Sequence, residues 1–224
     1  MFTNCHTHFS TSVQSEIHQV ELNQLVNHFH SVGVHPWHAG DLTVEKAMDL
    51  IQLSVNSQTL AIGECGLDAL KGPQLDVQEK VFEAQVDLSE QLQLPLIIHC
   101  VKSWNALQQI HKKKQPKQAW VYHGFAKLGI LDQVVSAGLM VSLGGGIIGH
   151  PNAIAIVAGI PDAQLLLETD DQPIEIRSVY EYVARLKGIS LQQLNEIVTE
   201  NFKKTFINFF VKFGFSSTSN FFSE

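Results

Sequence analysis

Seven short apolar runs punctuate the chain, near residues 2–5, 29–34, 59–63, 95–99, 119–122, 138–142 and 163–167. Most are aliphatic or β-branched without strict polar alternation, the pattern of strands covered on both faces. Longer amphipathic stretches separate them and predict helices near 43–56, 75–93, 102–114, 127–137, 151–158, 174–187 and 190–211. Ser190-Leu-Gln-Gln193 has the form of a capping box. Pro95 stands at a strand start and Pro151 at a helix start, where a missing N–H costs little. Strand followed by helix, repeated, predicts an α/β fold with a parallel sheet and outer helices. The stretch between His8 and Gly33 is too short for two strands with two helices, so seven strands are expected.

No linker or internal repeat interrupts the alternation. One domain over 1–213 is expected, with a Ser- and Phe-rich tail over 214–224. At 224 residues the chain can bury a sizeable core. No apolar run approaches the roughly 18 residues of a membrane span, and the first residues lack a basic-then-apolar leader. A cytoplasmic protein without membrane contact is the expectation. The formal charge of -7 argues against a broad basic face that coats duplex nucleic acid, though not against a local phosphate grip beside bound cations.

The chemistry sits where apolar runs end. His6-Thr-His8, Glu64 after Leu60-Ala-Ile-Gly63, His99 after Leu94-Pro-Leu-Ile-Ile98, His123 after Ala119-Trp-Val-Tyr122, and Asp170 after Leu165-Leu-Leu-Glu-Thr169 each place a metal-ligand type there. In a barrel or open sheet of parallel strands, carboxyl ends of strands converge on one mouth. His6 and His8 are two apart and share a strand face. A carboxylate such as Glu64 at an apolar strand end needs solvent, a partner or a metal, and no cationic partner is near it in sequence. Taken singly, each has a plainer reading: core histidines, a buried ion pair, or, for Asp170, a cap. Four imidazoles with two carboxylates suggest a two-metal site and favour Zn, Mn, Fe or similar ions such as Co over an all-oxygen Mg site, with Mg still open as an ion that supports turnover. Cys5, Cys65 and Cys100 adjoin these ligands, but three cysteines in a domain of this size give no disulfide framework, and a buried filler role is expected.

The order His-X-His, Glu, His, His, Asp resembles the TatD-type metal-dependent hydrolases of the amidohydrolase-like superfamily. The resemblance extends over most of the chain through Gly33-Val-His-Pro36, Ala61-Ile-Gly-Glu-Cys-Gly-Leu-Asp68, Leu94-Pro-Leu-Ile-Ile-His99, His123-Gly-Phe125, Leu167-Glu-Thr-Asp170 and Glu200-Asn-Phe-Lys203. It implies a distorted TIM-like barrel and two divalent ions. His6, His8 and Asp170 would hold one, His99 and His123 the other, with Glu64 between them. It also implies hydrolysis of phosphodiesters, usually DNA, by a metal-activated water, with Asp170 as base and Glu64 fixing the metal spacing. His35 would reach a substrate phosphate, with a plain chain turn at His35-Pro36 as the even alternative, and Lys102 would supply charge to the substrate. The chain departs from the family pattern in three places. Cys100-Val101-Lys102 stands where an Arg usually follows the ligand His, Pro173 comes one residue late after Asp170, and the region after His8 is short. The ligand set is intact and the substrate surroundings are altered. Hydrolysis of small amides, esters or phosphoesters, and metal binding without turnover, are the competing readings.

Several features are set aside. Gly144-Gly-Gly146 fits a tight turn better than a phosphate loop, and His150 beside it is weaker still. His18, His28, His30 and His38 read as ordinary polar residues. Lys112-Lys-Lys114 with Lys117 reads as a solvated helix cap, away from the ligands.

Overall fold

A computed structural model describes residues 2–9, 15–24 and 26–207; the expected tail at 214–224 lies outside them. The strands are β1 (Thr3–Thr7), β2 (Ser15–Val20), β3 (His30–Val32), β4 (Thr59–Asp68), β5 (Leu96–Val101), β6 (Trp120–Tyr122), β7 (Met140–Leu143) and β8 (Leu165–Leu167). They follow chain order in one eight-stranded sheet. The helices are α1 (Val44–Ser54), α2 (Leu75–Leu92), α3 (Trp104–Lys114), α4 (Leu131–Ser136), α5 (Ala153–Gly159), α6 (Ile176–Lys187) and α7 (Leu191–Phe202). The chain divides into two compact units, Met1–His18 with His123–Glu224, and Gln19–Tyr122.

The expected seven strands are therefore eight, and β2 is the addition. It pairs parallel with β1, Thr3 opposite Ser15 and Thr7 opposite His18. Among the described residues between β1 and β3 there is no helix.

In the first unit the strands are fixed from behind by polar side chains of helices. Tyr180 on α6 is fully buried. Its hydroxyl accepts from the Thr3 N–H (3.2 Å) and donates to the Thr3 carbonyl (3.0 Å). Asn201 on α7 donates from Nδ2 to the carbonyls of Asp162 (2.6 Å) and Leu165 (2.9 Å), so the Glu-Asn-Phe-Lys segment anchors the start of β8. The expected capping box opens α7, with Ser190 and Gln193 bonded reciprocally. Tyr180→Phe leaves the Thr3 backbone groups buried without this partner. It is expected to cost about 1–3 kcal/mol of stability, read as a lower urea midpoint at unchanged m.

In the second unit β4 is the long central strand, paired with β3 and β5. All ten of its residues are buried. The lysine run sits at the C-terminal end of α3, where Lys113 pairs with Glu83 (2.7 Å) and Lys114 with Asp87 (2.7 Å) on α2. Such exposed pairs are worth at most about 1 kcal/mol each. They occupy the lysines as a solvated helix end, as the sequence suggested.

Candidate metal centre

Each unit assembles its own cluster of ligand-type side chains. In the first, β1 and the segment after β8 are interlocked. Asn4 Oδ1 accepts from the Thr169 N–H (3.0 Å) and its Nδ2 donates to Thr169 Oγ1 (2.9 Å). The Asp170 N–H donates to the His6 carbonyl and the His8 N–H to the Asp170 carbonyl, both at 3.1 Å. Asp170 takes a left-handed backbone, φ 55°, a conformation Asp tolerates better than most residues. Its backbone is thereby clamped between the two histidines.

The side chains follow from that clamp. Asp170 Oδ1 lies 3.5 Å from His6 Nε2 and 3.6 Å from His8 Nε2. His6 is fully buried and His8 is exposed. These separations exceed a charge-assisted hydrogen bond. They match ligands of one ion: donors about 2.0–2.2 Å from a tetrahedral centre lie roughly 3.3–3.6 Å apart. The His6–His8–Asp170 donor set thus fits a divalent cation on its own spacing. His123 lies beside it, its ring 4.7 Å from that of His6. His123 Nδ1 is 3.4 Å from Oε1 of the buried Glu168, which accepts the Gly124 N–H at 2.6 Å. His123, Glu168 and Asp170 form a second group able to hold a cation.

The second unit places His35, Glu64 and His99 together. Glu64 is 4% exposed, and its Oε1 stands 2.9 Å from His99 Nδ1 and 3.2 Å from His35 Nε2. The Glu64 N–H donates to Gln19 Oε1. The other nitrogen of His99, Nε2, lies 3.2 Å from Asp68 Oδ2. A neutral imidazole has one N–H. A carboxylate oxygen stands within hydrogen-bond distance of each ring nitrogen of His99, and a neutral ring can donate to one of them. Asp68 also accepts from Trp37 Nε1 (2.7 Å) and the Leu70 N–H (2.8 Å). Burial opposes its ionisation, but these hydrogen bonds and His99 outweigh it and hold the carboxyl below its ordinary range.

Of the six expected ligands, His6, His8, His123 and Asp170 lie in the first unit and Glu64 and His99 in the second. His35, expected at the substrate, stands within the Glu64–His99 group. Lys102 is exposed just past β5, with φ 53°. Gly145–Ile147 forms a single 3-10 turn. His18 is not an isolated polar residue: its Nε2 pairs with Glu16 at 2.8 Å. The cysteines are free and buried, and burial, followed by the neighbouring Glu168 and Glu64, pushes the Cys5 and Cys65 thiols well up. Sequence reasoning quoted Glu168 and Asp68 inside motifs without a role and passed over Trp37. Their partners come from other strands and loops, so the signal was at most a carboxylate two or four residues from a candidate ligand.

The profile of a family described as TatD related DNase matches residues 3–207. An uncharacterized metal-dependent hydrolase, YabD of Bacillus subtilis, is 29% identical over 195 residues, 79% of this chain and 76% of that protein. The 3'-5' ssDNA/RNA exonuclease TatD of Dickeya dadantii is 32% identical over 203 residues, 79% of this chain and 75% of that protein. The crystal structure of YJJV, a TatD homologue from Escherichia coli K12, superposes with a TM-score of 0.80 at 21% identity, covering 92% of this chain and 97% of that one. That likeness shows the fold, an α/β architecture of the TIM-like barrel class. No helix of the described residues is long and apolar enough to cross a membrane.

Proposed function

Because this chain belongs to the TatD related DNase family and is a metal-dependent hydrolase, we propose that it cleaves phosphodiester bonds in single-stranded nucleic acid, acting as a deoxyribonuclease. The spacing of His6, His8 and Asp170 carries the reading, because it suits a cation better than a hydrogen bond. The name of the Dickeya relative supports a nucleic acid strand shortened from its 3′ end. Two divalent ions are proposed, with His6, His8, Glu64, His99, His123 and Asp170 as ligands. His35 joins them as a further candidate by its place beside Glu64. When bound, the ions supply Lewis acidity that ionises water near neutral pH and offsets charge on phosphate oxygens. Asp170 orients the attacking water and accepts its proton on a carboxylate oxygen, within reach of His6 and His8. Glu64 holds its neighbouring imidazoles in place. Lys102, exposed and mobile on its four-carbon stem, meets a phosphate as a point charge and not as the bidentate grip of an Arg.

The test is cleavage of short deoxyoligonucleotides labelled at either end, by protein loaded with Mn, Zn, Co, Fe or Mg and assayed for bound metal. Metal-dependent shortening from the 3′ end, abolished by chelation, is expected. Folded, metal-loaded protein that leaves every oligonucleotide intact while hydrolysing small esters or amides would overturn the nuclease reading.

A further inference from the structure

Trp37 is the half-exposed tryptophan of this chain, at 40%, whereas Trp104 and Trp120 are buried at 6% and 2%. It lies in the 3-10 turn Pro36–His38 that follows β3. Its indole is not loose. Nε1 donates to Asp68 Oδ2 at 2.7 Å, and that same oxygen lies 3.2 Å from His99 Nε2. The His35 ring packs edge-on against it, 4.6 Å between centroids, and the His99 ring is 6.0 Å away. A large aromatic surface is therefore held rigid and open to solvent beside two candidate ligands. The loop after β4 runs close against the backbone of this turn. A Cβ on Gly72, where φ is +83°, would lie 2.8 Å from both Pro36 O and Trp37 Cα. That close approach brings Lys71 Nζ to 4.2 Å above the indole ring.

We propose that Trp37 is a stacking platform for one nucleobase of the substrate strand, with Lys71 as the cation for the adjoining phosphate. This deepens the nuclease reading above and rests on it. A rigid, pre-oriented ring loses little freedom on binding. Every base offers a π-face, so the platform grips a single strand without reading its sequence. The ammonium over an exposed ring is the weaker of the two possible partners of the indole. A stacked base displaces Lys71, whose flexible stem then carries the charge to phosphate. A base paired in a duplex cannot offer its face this way, so the platform selects unpaired ends.

Binding of metal-loaded protein to a phosphorothioate-linked deoxyoligonucleotide tests this, with a single abasic residue moved along the strand. In the wild type one abasic position is expected to weaken Kd by about 5- to 150-fold. Trp37→Ala should weaken the intact strand to the same degree and erase the abasic effect at that position. Trp37→Phe keeps a ring but loses the donor to Asp68, and should stay within about threefold of the wild type. If Trp37→Phe falls as far as Trp37→Ala, the indole acts only through Asp68 and the platform is wrong. An abasic effect equal in the wild type and Trp37→Ala overturns it as well. Cleavage of unmodified DNA separates the two claims. Metal-dependent cleavage with no Trp37-linked abasic position sinks the platform alone, whereas absence of both binding and cleavage sinks the nuclease reading with it.

Discussion

His6→Ala is expected to lower kcat/KM for metal-dependent hydrolysis by about a thousandfold or more while leaving the protein folded. His6 is fully buried, in ring contact with both His8 and His123. Its Nε2 shares Asp170 Oδ1 with His8 Nε2 at almost equal distances. Removing it leaves a two-donor remnant that no longer encloses a cation. Several kcal/mol of transition-state stabilisation from a metal then disappear, and about 4 kcal/mol corresponds to a thousandfold. The fold should persist because the clamp at this point is backbone: the His6 carbonyl still accepts from the Asp170 N–H, and Asn4 still holds Thr169. The measurements are bound metal by elemental analysis, cleavage rate and circular dichroism on the same preparation. Loss of activity with lost metal and an unchanged spectrum is the expected set. Full metal content with normal turnover in His6→Ala would remove His6 from the ligand set.

The first-unit candidates were readable from sequence because each stands at the end of an apolar run, although His6 and Asp170 are 164 residues apart. His6 and His8 share a strand face by period alone, and Asp170 stands just past an apolar run whose end is fixed by β8. What sequence could not supply was the second set of partners. Glu168 and Asp68 receive their hydrogen bonds from Gly124 and Trp37, 44 and 31 residues away. The missed strand β2 is also instructive. Ser-Glu-Ile-His-Gln-Val carries a buried carboxylate and a half-buried imidazole two residues apart, a polar pattern that does not read as a strand until the Glu16–His18 contact is seen. The expected end of β4 at residue 63 fell short for a related reason. Gly63 and Gly66 look like punctuation, yet the strand runs on to Asp68. A glycine inside a strand marks close backbone approach as readily as a stop.

Gly66→Ala is the substitution in this chain from which we expect the largest loss of stability, about 2–6 kcal/mol, accompanied by loss of the Glu64–His99 arrangement. Gly66 is the register partner of His99 across β4 and β5. A Cβ on it would lie 2.0 Å from the His99 carbonyl oxygen, with φ at +131°. The obstacle is backbone, not the free end of a side chain, so no rotamer change relieves it. Either the two strands separate, at the cost of their ladder and of packing around Leu67 and Ile98, which are fully buried, or residue 66 shifts and carries Glu64 and His99 out of register. Overpacking alone costs about 1–3 kcal/mol, and an Ala forced to φ above zero adds about 1–3 more. Gly129→Ala is the control, since a Cβ there meets nothing within 4 Å, and its effect should stay within about 0.5 kcal/mol. Urea denaturation compares the two. A Gly66→Ala protein that keeps wild-type stability and metal content would mean that β4 and β5 do not approach at this point, and that the glycine serves the strand in some other way.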